Sequence, residues 1–364
     1  MLVCPVPSSL LPVENQFESD SSAEVLEPGL TAVRPNALKN FHDIEKLLED
    51  RRLAIFLDYD GTLTPIVDDP SEAKISTNMR DVVAKVANRF PTAIITGRSI
   101  SAITNFVKLN SVFYAGSHGF DIRAPGGEKV IAQVGEEYLP LLQKTCKELR
   151  KLLKAFPGSL VEDNKYAISA HYRRVDPRHW EKMERIVDDE VAKSAGKLKK
   201  GHGKMVFEIR ANCDWHKGKA VRHLLTRISP AKFSRAAELR TPTLLSEGKN
   251  KQKNLSVLKR KHDLPSVKKV VVVARPSSPT KKRRTQAEQN IESKEPSEFA
   301  IYIGDDTTDE DAFRELATSG RGIGIRVLSK GSEGGQQTAA AFTLRNVGEV
   351  QSLLEMLWQR NSSE

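Results

Sequence analysis

The sequence predicts an α/β protein: a core built on a parallel sheet, interrupted by a separate α+β unit. Three observations carry this. Short apolar runs alternate with helical patterns from residue 38 to 119. That alternation then stops and returns beyond 213, and the acidic or small polar residues of the alternating parts gather just after the apolar runs.

In order, Leu38 to Glu49 carries helix signals, and Leu53 to Leu57 reads as a buried strand ending in Asp58. Gly61 and Thr62 supply a turn that returns Asp60 toward the same strand end. Thr77 or Asn78 can cap a helix with Val82, Val83, Val86 and Phe90 on one face, and Pro91 stops it. Thr92 to Thr96 is a second strand followed by Gly97-Arg98-Ser99 and a helix, and Val112 to Gly116 is a third, ending in Ser117-His118-Gly119. Strand, helix, strand, helix, strand at this spacing implies right-handed crossovers and a parallel sheet. Phe120 to Ile122 and Lys129 to Val134 then read as a hairpin, and Glu136 to Phe156 as a helix. Strands are expected at Leu160 to Glu162, Ala167 to Tyr172 and Met205 to Ile209, with a helix over Pro177 to Lys193. This stretch lacks βα alternation, so it is expected to form a second domain. The core resumes with a helix from Lys217 to Ile228, a strand at Phe299 to Ile303 and the acidic run Asp305 to Asp311. A helix at Ala312 to Ala317, strands at Ile323 to Val327 and Ala341 to Leu344, and a helix from Val347 to Trp358 complete it.

The expected division is a disordered tail (1–35), core (36–119), inserted α+β domain (120–213), core (214–228), basic insertion (229–298) and core (299–364). The tail has five acids before Arg34, the first basic residue, and so resembles neither a transit peptide nor a secretory signal. At 39% apolar content a core can be buried, but no apolar run approaches the ~18 residues of a membrane span. Cys4, Cys146 and Cys213 are scattered without metal-ligand spacing, which fits a reducing compartment; a cytoplasmic, monomeric protein is expected. The net charge of +10 is local. Residues 229–298 hold 17 Lys+Arg against 7 Asp+Glu, so the rest of the chain is neutral. That segment is read as mostly disordered, with only Val270 to Val273 resembling a strand. Lys281 to Arg284 reads either as a nuclear-import patch or as a solvated basic loop, and the loop is the preferred reading. Without interleaved aromatic residues for base stacking, no nucleic-acid partner is expected.

Four signals fall at strand or helix ends of one sheet: Asp58 with Asp60, Thr96-Gly97-Arg98, Lys217, and Asp305 with Asp306 and Asp309. Phosphoryl transfer through a covalent intermediate needs these parts. One carboxylate attacks phosphorus, and a second moves protons. A hydroxyl, backbone N–H groups, a lysine and a cation hold and neutralise the phosphoryl oxygens. Hard oxygen ligands suit Mg²⁺, whereas Zn²⁺ would want more than Cys213 and His216. Asp305, Asp306 and Asp309 read alone could equally be a helix cap with first-turn acids.

Asp58-Tyr-Asp60-Gly-Thr, Thr96-Gly-Arg, Lys217 and Gly304-Asp-Asp-Thr-Thr-Asp-Glu resemble the four motifs of the haloacid dehalogenase superfamily. More narrowly, Phe56 to Val67, Tyr114-Ala-Gly-Ser-His-Gly119, Val161-Glu-Asp-Asn-Lys165, His171-Tyr-Arg173 and Gly304 to Phe313 are similar to plant-type trehalose-6-phosphate phosphatases. The resemblance implies a Rossmann-like core with a mobile cap domain, one Mg²⁺, and trehalose 6-phosphate as the small-molecule substrate; the alternatives are a phosphatase of the same type for another sugar phosphate, or a non-catalytic regulatory relative acting through the basic insertion. It implies Asp58 as nucleophile and Asp60 as general acid/base, the Asp60 carbonyl joining Asp58 and Asp305 on the metal. Thr96 and Lys217 would hold the phosphoryl group, and Asp306 or Asp309 would support the metal's water shell. A disaccharide needs charged and amide groups around its hydroxyls, and Glu162, Lys165, His171, Arg173, Lys204, Glu208 and Arg210 meet that description. A salt-bridged polar sheet face is the alternative reading of those seven. Gly97, Arg98, Gly119 and Glu310 complete the candidate substrate contacts, and His118 is either a further contact or a hinge residue.

Overall fold

The computed structural model describes residues 34–127, 129–228, 298–328 and 337–360. Residues 229–297 of the expected basic insertion, with its Val270 to Val273 strand and Lys281 to Arg284, and most of the expected tail lie outside the described residues; Glu298, expected in the insertion, opens a strand of the main sheet. The main sheet has eight strands, ordered β12-β11-β10-β1-β2-β3-β4-β5. These are β1 (Arg52–Leu57), β2 (Thr92–Ile95), β3 (Phe113–Gly116), β4 (Asp121–Arg123), β5 (Val130–Gln133), β10 (Glu298–Gly304), β11 (Gly322–Val327) and β12 (Phe342–Leu344). The six strands from β12 to β3 pair in parallel. On β1, Leu53, Ile55 and Leu57 enter one apolar layer and Ala54 and Phe56 the other, as the two-residue period of a strand requires. Helices α1 (Phe41–Leu47), α2 (Thr77–Arg89), α3 (Ile100–Val107) and α8 (Val347–Gln359) cover the first face. Helices α6 (Lys217–Leu225) and α7 (Glu310–Ser319) cover the second.

A second sheet, antiparallel and ordered β6-β7-β9-β8, consists of β6 (Leu160–Asp163), β7 (Ala167–His171), β8 (Leu198–Gly203) and β9 (Val206–Ala211). Its apolar face packs on α4 (Leu139–Leu153) and α5 (Trp180–Ala192) through Ile168, Ala170, Phe207 and Ile209. Residues 135–211 thus have an apolar core of their own.

Three expectations are corrected. The hairpin expected to open the cap instead extends the main sheet: β4 pairs antiparallel with β3, and β5 with β4, so the crossing to the second sheet comes after residue 134. The physical reason is that the tight turn Ser117–Gly119 folds the chain straight back along β3, leaving its free edge as the nearest partner. β8 was not foreseen, because Lys199 and Lys200 break the apolar pattern. Lys200 reaches Glu184 and Asp188 at 2.7 and 2.6 Å while lying over the Phe207 ring. Arg34 and Pro35, placed in the tail, lie along β12, where the Thr343 N–H donates to the Pro35 carbonyl at 2.9 Å.

Candidate active site

β1 leads to β2 on one side while its neighbour β10 leads to β11 on the other, so the connections diverge and a crevice opens at the carboxyl ends of β1 and β10. Asp58 stands there, tied to the neighbouring strand by its N–H donating to Ile303 O at 2.9 Å. Thr96 follows β2, and Asp305 and Asp306 follow β10. Lys217 is the first residue of α6. Gly218 lets that helix end close on α7, because a Cβ there would lie 2.3 Å from the Asp311 carbonyl oxygen. Gly61 is needed twice over: its φ is +79°, and a Cβ would lie 1.8 Å from Asp305 Oδ2.

The deep end of the cleft is an array of buried charges. Lys217 Nζ donates to Asp58 Oδ1 at 2.9 Å and to Asp309 Oδ1 at 2.6 Å. Asp309, wholly buried, also accepts from Tyr302 Oη at 2.7 Å and from the Asp306 N–H at 2.9 Å. That last bond is half of a helix capping box, so the capping reading of the acidic run describes Asp309 well. Lys204 reaches across from the second sheet to Asp305 Oδ2. Burial, with Asp309 and Asp305 nearby, raises the Asp58 carboxyl well above its ordinary range despite Lys217. Burial likewise pushes Asp305 up to about 7 against the pull of Lys204. Burial disfavours the Lys217 charge, but Asp309 and Asp58 outweigh it and hold the ammonium above its usual value.

Oxygens of Asp58, Asp305 and Asp309 lie within 4.8 Å of one another, so this cluster suits a cation. The donors are all hard oxygens. The four carboxyls of Asp58, Asp305, Asp306 and Asp309 face two ammonium groups, and a divalent ion would favour the ionised forms that burial and mutual repulsion oppose. Asp309 has already committed both oxygens, which leaves Asp58 and Asp305 as the carboxylates best able to bind the ion directly. The Asp60 carboxylate is engaged elsewhere: Arg98 grips it with Nε and Nη2, both at 2.7 Å. Arg98 in turn lies over the Phe106 ring, 4.9 Å from its centroid.

The second sheet roofs the cleft with its polar face. Its register sets Glu162, Ser169, Glu208 and Gly201 in one row across four strands, and His171, Val206 and Gly203 in the next. His171 Nε2 is 2.6 Å from Glu162 Oε2, and His118 Nε2 is 2.7 Å from Glu208 Oε2, a close contact out of line for a hydrogen bond. Although burial opposes it, His118, Arg210 and Lys217 together draw the Glu208 carboxyl down to about 2. Arg173 donates to the Lys204 carbonyl at 2.8 Å, fixing the turn that carries Lys204.

Asp58, Asp60, Thr96, Gly97, Arg98 and Lys217 therefore share one cleft with Asp305 and Asp306. Glu162, His171, Arg173, Lys204 and Glu208 line it from the second domain, and His118 from the turn after β3. Five expected residues do not. Asp309 lies behind Lys217. Lys165 turns to Asp121, 3.2 Å away, joining Arg123 on that buried carboxylate. Arg210 sits one row further from the mouth, paired in register with Ala167 and Lys199. Gly119 packs its α-carbon against Ala220 on α6. Glu310 points away to Thr338 Oγ1 and the Ala339 N–H, at 2.6 and 2.9 Å, where it anchors the segment leading to β12.

Sequence reasoning missed Asn164, Ser117 and Ser169, although two of them lie inside motifs it quoted. Asn164 joins the two sheets: its Oδ1 accepts from the Ser99 N–H at 3.2 Å, its carbonyl from Ser117 Oγ, and its Nδ2 donates to Ser169 at 3.0 Å. A small amide between two predicted strands carries no periodic signal that would have marked it.

The family model for trehalose-phosphatase matches residues 56–290 and 251–347, which include the cleft's carboxylates, Lys217 and the polar row. The chain belongs to the trehalose-phosphatase family. It is 34% identical over 338 residues to trehalose-phosphate phosphatase B of Arabidopsis thaliana, covering 90% of this chain and 72% of that protein. It is 35% identical over 335 residues to the probable trehalose-phosphate phosphatase 9 of Oryza sativa subsp. japonica, covering 89% and 74%. The solved C-terminal domain of Candida albicans trehalose-6-phosphate phosphatase superposes with a TM-score of 0.60 at 21% identity, covering 90% of this chain and 99% of that one. That likeness establishes the fold, an α/β core on a mostly parallel sheet with a separate antiparallel sheet. Among the described residues, no helix of this trehalose-phosphatase family member is long and apolar enough to cross a membrane.

Proposed function

We propose that this chain hydrolyses trehalose 6-phosphate to trehalose and phosphate through an aspartyl-phosphate on Asp58. The observation that supports it best is the pairing of two unlike ends in one cleft. Buried Asp58 with Lys217 at 2.9 Å forms one, and the cap row of Glu162, Ser169 and Glu208 forms the other.

Asp58 Oδ attacks phosphorus as the bond from phosphorus to the sugar oxygen breaks, and Asp60 gives that oxygen a proton. Water then attacks the phosphorus, Asp60 takes a proton from it, and the bond to Asp58 breaks. Asp60 can act only when one of its two bonds to Arg98 opens, so substrate groups arriving at Arg98 would free it for proton transfer. Lys217 stays on Asp58 and offsets the charge that gathers on the phosphoryl oxygens, assisted by the Thr96 hydroxyl. Asp58 and Asp305 would hold Mg²⁺, with Asp306 and Asp309 behind them, and the ion supplies charge neutralisation and orientation at the phosphoryl group. Glu162, His171, Arg173 and Glu208 would bond the sugar hydroxyls, and the cap would exclude bulk water.

Phosphate release from a panel of sugar phosphates, with Mg²⁺ or EDTA, tests this. Turnover is expected for trehalose 6-phosphate well above glucose 6-phosphate, and only with Mg²⁺. Equal rates on both sugars would overturn the substrate, and activity in EDTA the metal.

A further inference from the structure

The cap row supplies polar contacts, but a pyranose ring also has C–H faces, and burying these needs an apolar wall. The core provides one. Directly after the Asp58 motif, Ile66, Val67 and Pro70 line the same cleft as Glu162 and His171. Ile66 is 37% exposed, among the few large apolar side chains of the described residues left in solvent, whereas Asp58 at the deep end is 5% exposed. The cleft therefore runs from the buried phosphate end outward to Ile66. A lone exposed isoleucine is ordinary on a protein surface, but one set in the wall of a polar cleft has a surface to cover.

The loop is also fixed in place. Val67 packs on the core, and Pro70 starts a short helical turn capped by Asp69, whose Oδ1 accepts from the Ser71 N–H at 3.0 Å. From the cap, Arg174 Nη1 holds Asp69 Oδ2 at 3.3 Å, three residues beyond His171. The same strand end that brings His171 to the sugar thus tethers the loop opposite it.

We infer that Ile66 is a specificity-determining residue: with Val67 and Pro70 it forms the apolar wall against which the glucosyl ring remote from the phosphate packs. Arg174 is a positioning residue that holds this wall through Asp69. The inference rests on trehalose 6-phosphate being the substrate. Because the wall touches only the remote ring, it contributes equally to ground-state and transition-state binding and acts on KM alone.

Steady-state kinetics with trehalose 6-phosphate and Mg²⁺, together with inhibition by inorganic phosphate, test it. Ile66→Ser should raise KM about tenfold, the scale of one lost apolar contact, with kcat unchanged. The inhibition constant of inorganic phosphate, which reaches only the deep end, should stay within about twofold. Ile66→Leu should restore the wild-type KM, and Arg174→Ala should raise it by a smaller factor, about threefold. An unchanged KM in Ile66→Ser, a parallel weakening of inorganic phosphate, or a fall in kcat would each overturn the wall. A wild type that ignores trehalose 6-phosphate would instead overturn the substrate reading, and this inference with it.

Discussion

The two ends of the cleft are built on different principles. At the core end, the Asp58, Lys217 and Asp309 side chains are buried and linked through the Lys217 ammonium, each placed by a strand or helix terminus. At the cap end, the polar residues share one sheet face. They make single partnerships, such as Glu162 with His171, and keep surface for a ligand. Chemistry allows few alternatives for a nucleophile, a proton carrier and their counter-charges, whereas many arrangements of polar groups can grasp a sugar. The core end should therefore fail abruptly when altered, and the cap end by degrees.

The largest effect is expected at Asp58. Asp58→Asn nearly keeps the shape but cannot attack phosphorus, and turnover should fall by about 10⁴-fold or more while the unfolding midpoint stays close to wild type. Retained turnover would place the nucleophile elsewhere and remove the basis for contrasting the two ends.

Lys217→Ala sharpens the comparison by breaking both fold and chemistry. Removing one partner from a buried ion cluster leaves Asp58 and Asp309 uncompensated, for a loss of about 3–5 kcal/mol on denaturant unfolding without metal. Adding Mg²⁺ should recover part of that stability, since the ion offsets the same carboxylates. A loss no greater than that of an exposed lysine would show that the cluster is not structurally coupled.

How far each end can be read from sequence follows from the same contrast. Asp58, Asp60, Thr96, Lys217 and Asp305 were legible because each follows an apolar run or opens a helix, and the strand order brings those ends together. Asp309 was legible as an acid but not as the buried counter-ion of Lys217, because that depends on Tyr302 and the Asp306 N–H closing around it. In the cap, Glu208 and Arg210 share a face as their two-residue spacing requires. Which row meets the cleft depends on register with β7, which spacing on one strand cannot give. Glu310 and Lys165 were misplaced for a related reason: a charged residue beside a motif can serve packing as well as a ligand. The parallel core was readable from periodicity, but the β4–β5 hairpin was not separable from the cap, because pairing with β3 is a long-range choice.

An effect of intermediate size should appear at the cap end as acid sensitivity. The Glu208 carboxyl is depressed to about 2 in the folded protein, with an ordinary value of 4.5. A depressed carboxylate lends stability above its unfolded pKa that drains away as the pH falls through the folded one, here from about 4.5 down to about 2. Its share is about 3 kcal/mol at neutral pH. Asp305 works in the opposite direction, since its raised carboxyl favours the protonated fold at low pH. Comparing wild type with Glu208→Gln over this window isolates the cap term. The variant should lose less stability on acidification, and parallel curves would show that His118 and Glu208 are not coupled.

The smallest effect returns to the core. Tyr302 belongs to the sheet face that packs on α6 and α7, and its hydroxyl donates to Asp309 from complete burial. Tyr302→Phe keeps the ring against Phe313 and removes one donor from a carboxylate that retains Lys217 and the Asp306 N–H. Two remaining donors limit the cost to about 1 kcal/mol of stability. If Asp309 acts only by holding Lys217 in place, kcat should drop about two- to fivefold with KM unchanged, because the loss falls on charge that develops in the transition state. A shift in KM alone would tie Tyr302 to ground-state binding, and the division between an all-or-none core and a graded cap would then fail at its most buried hydrogen bond.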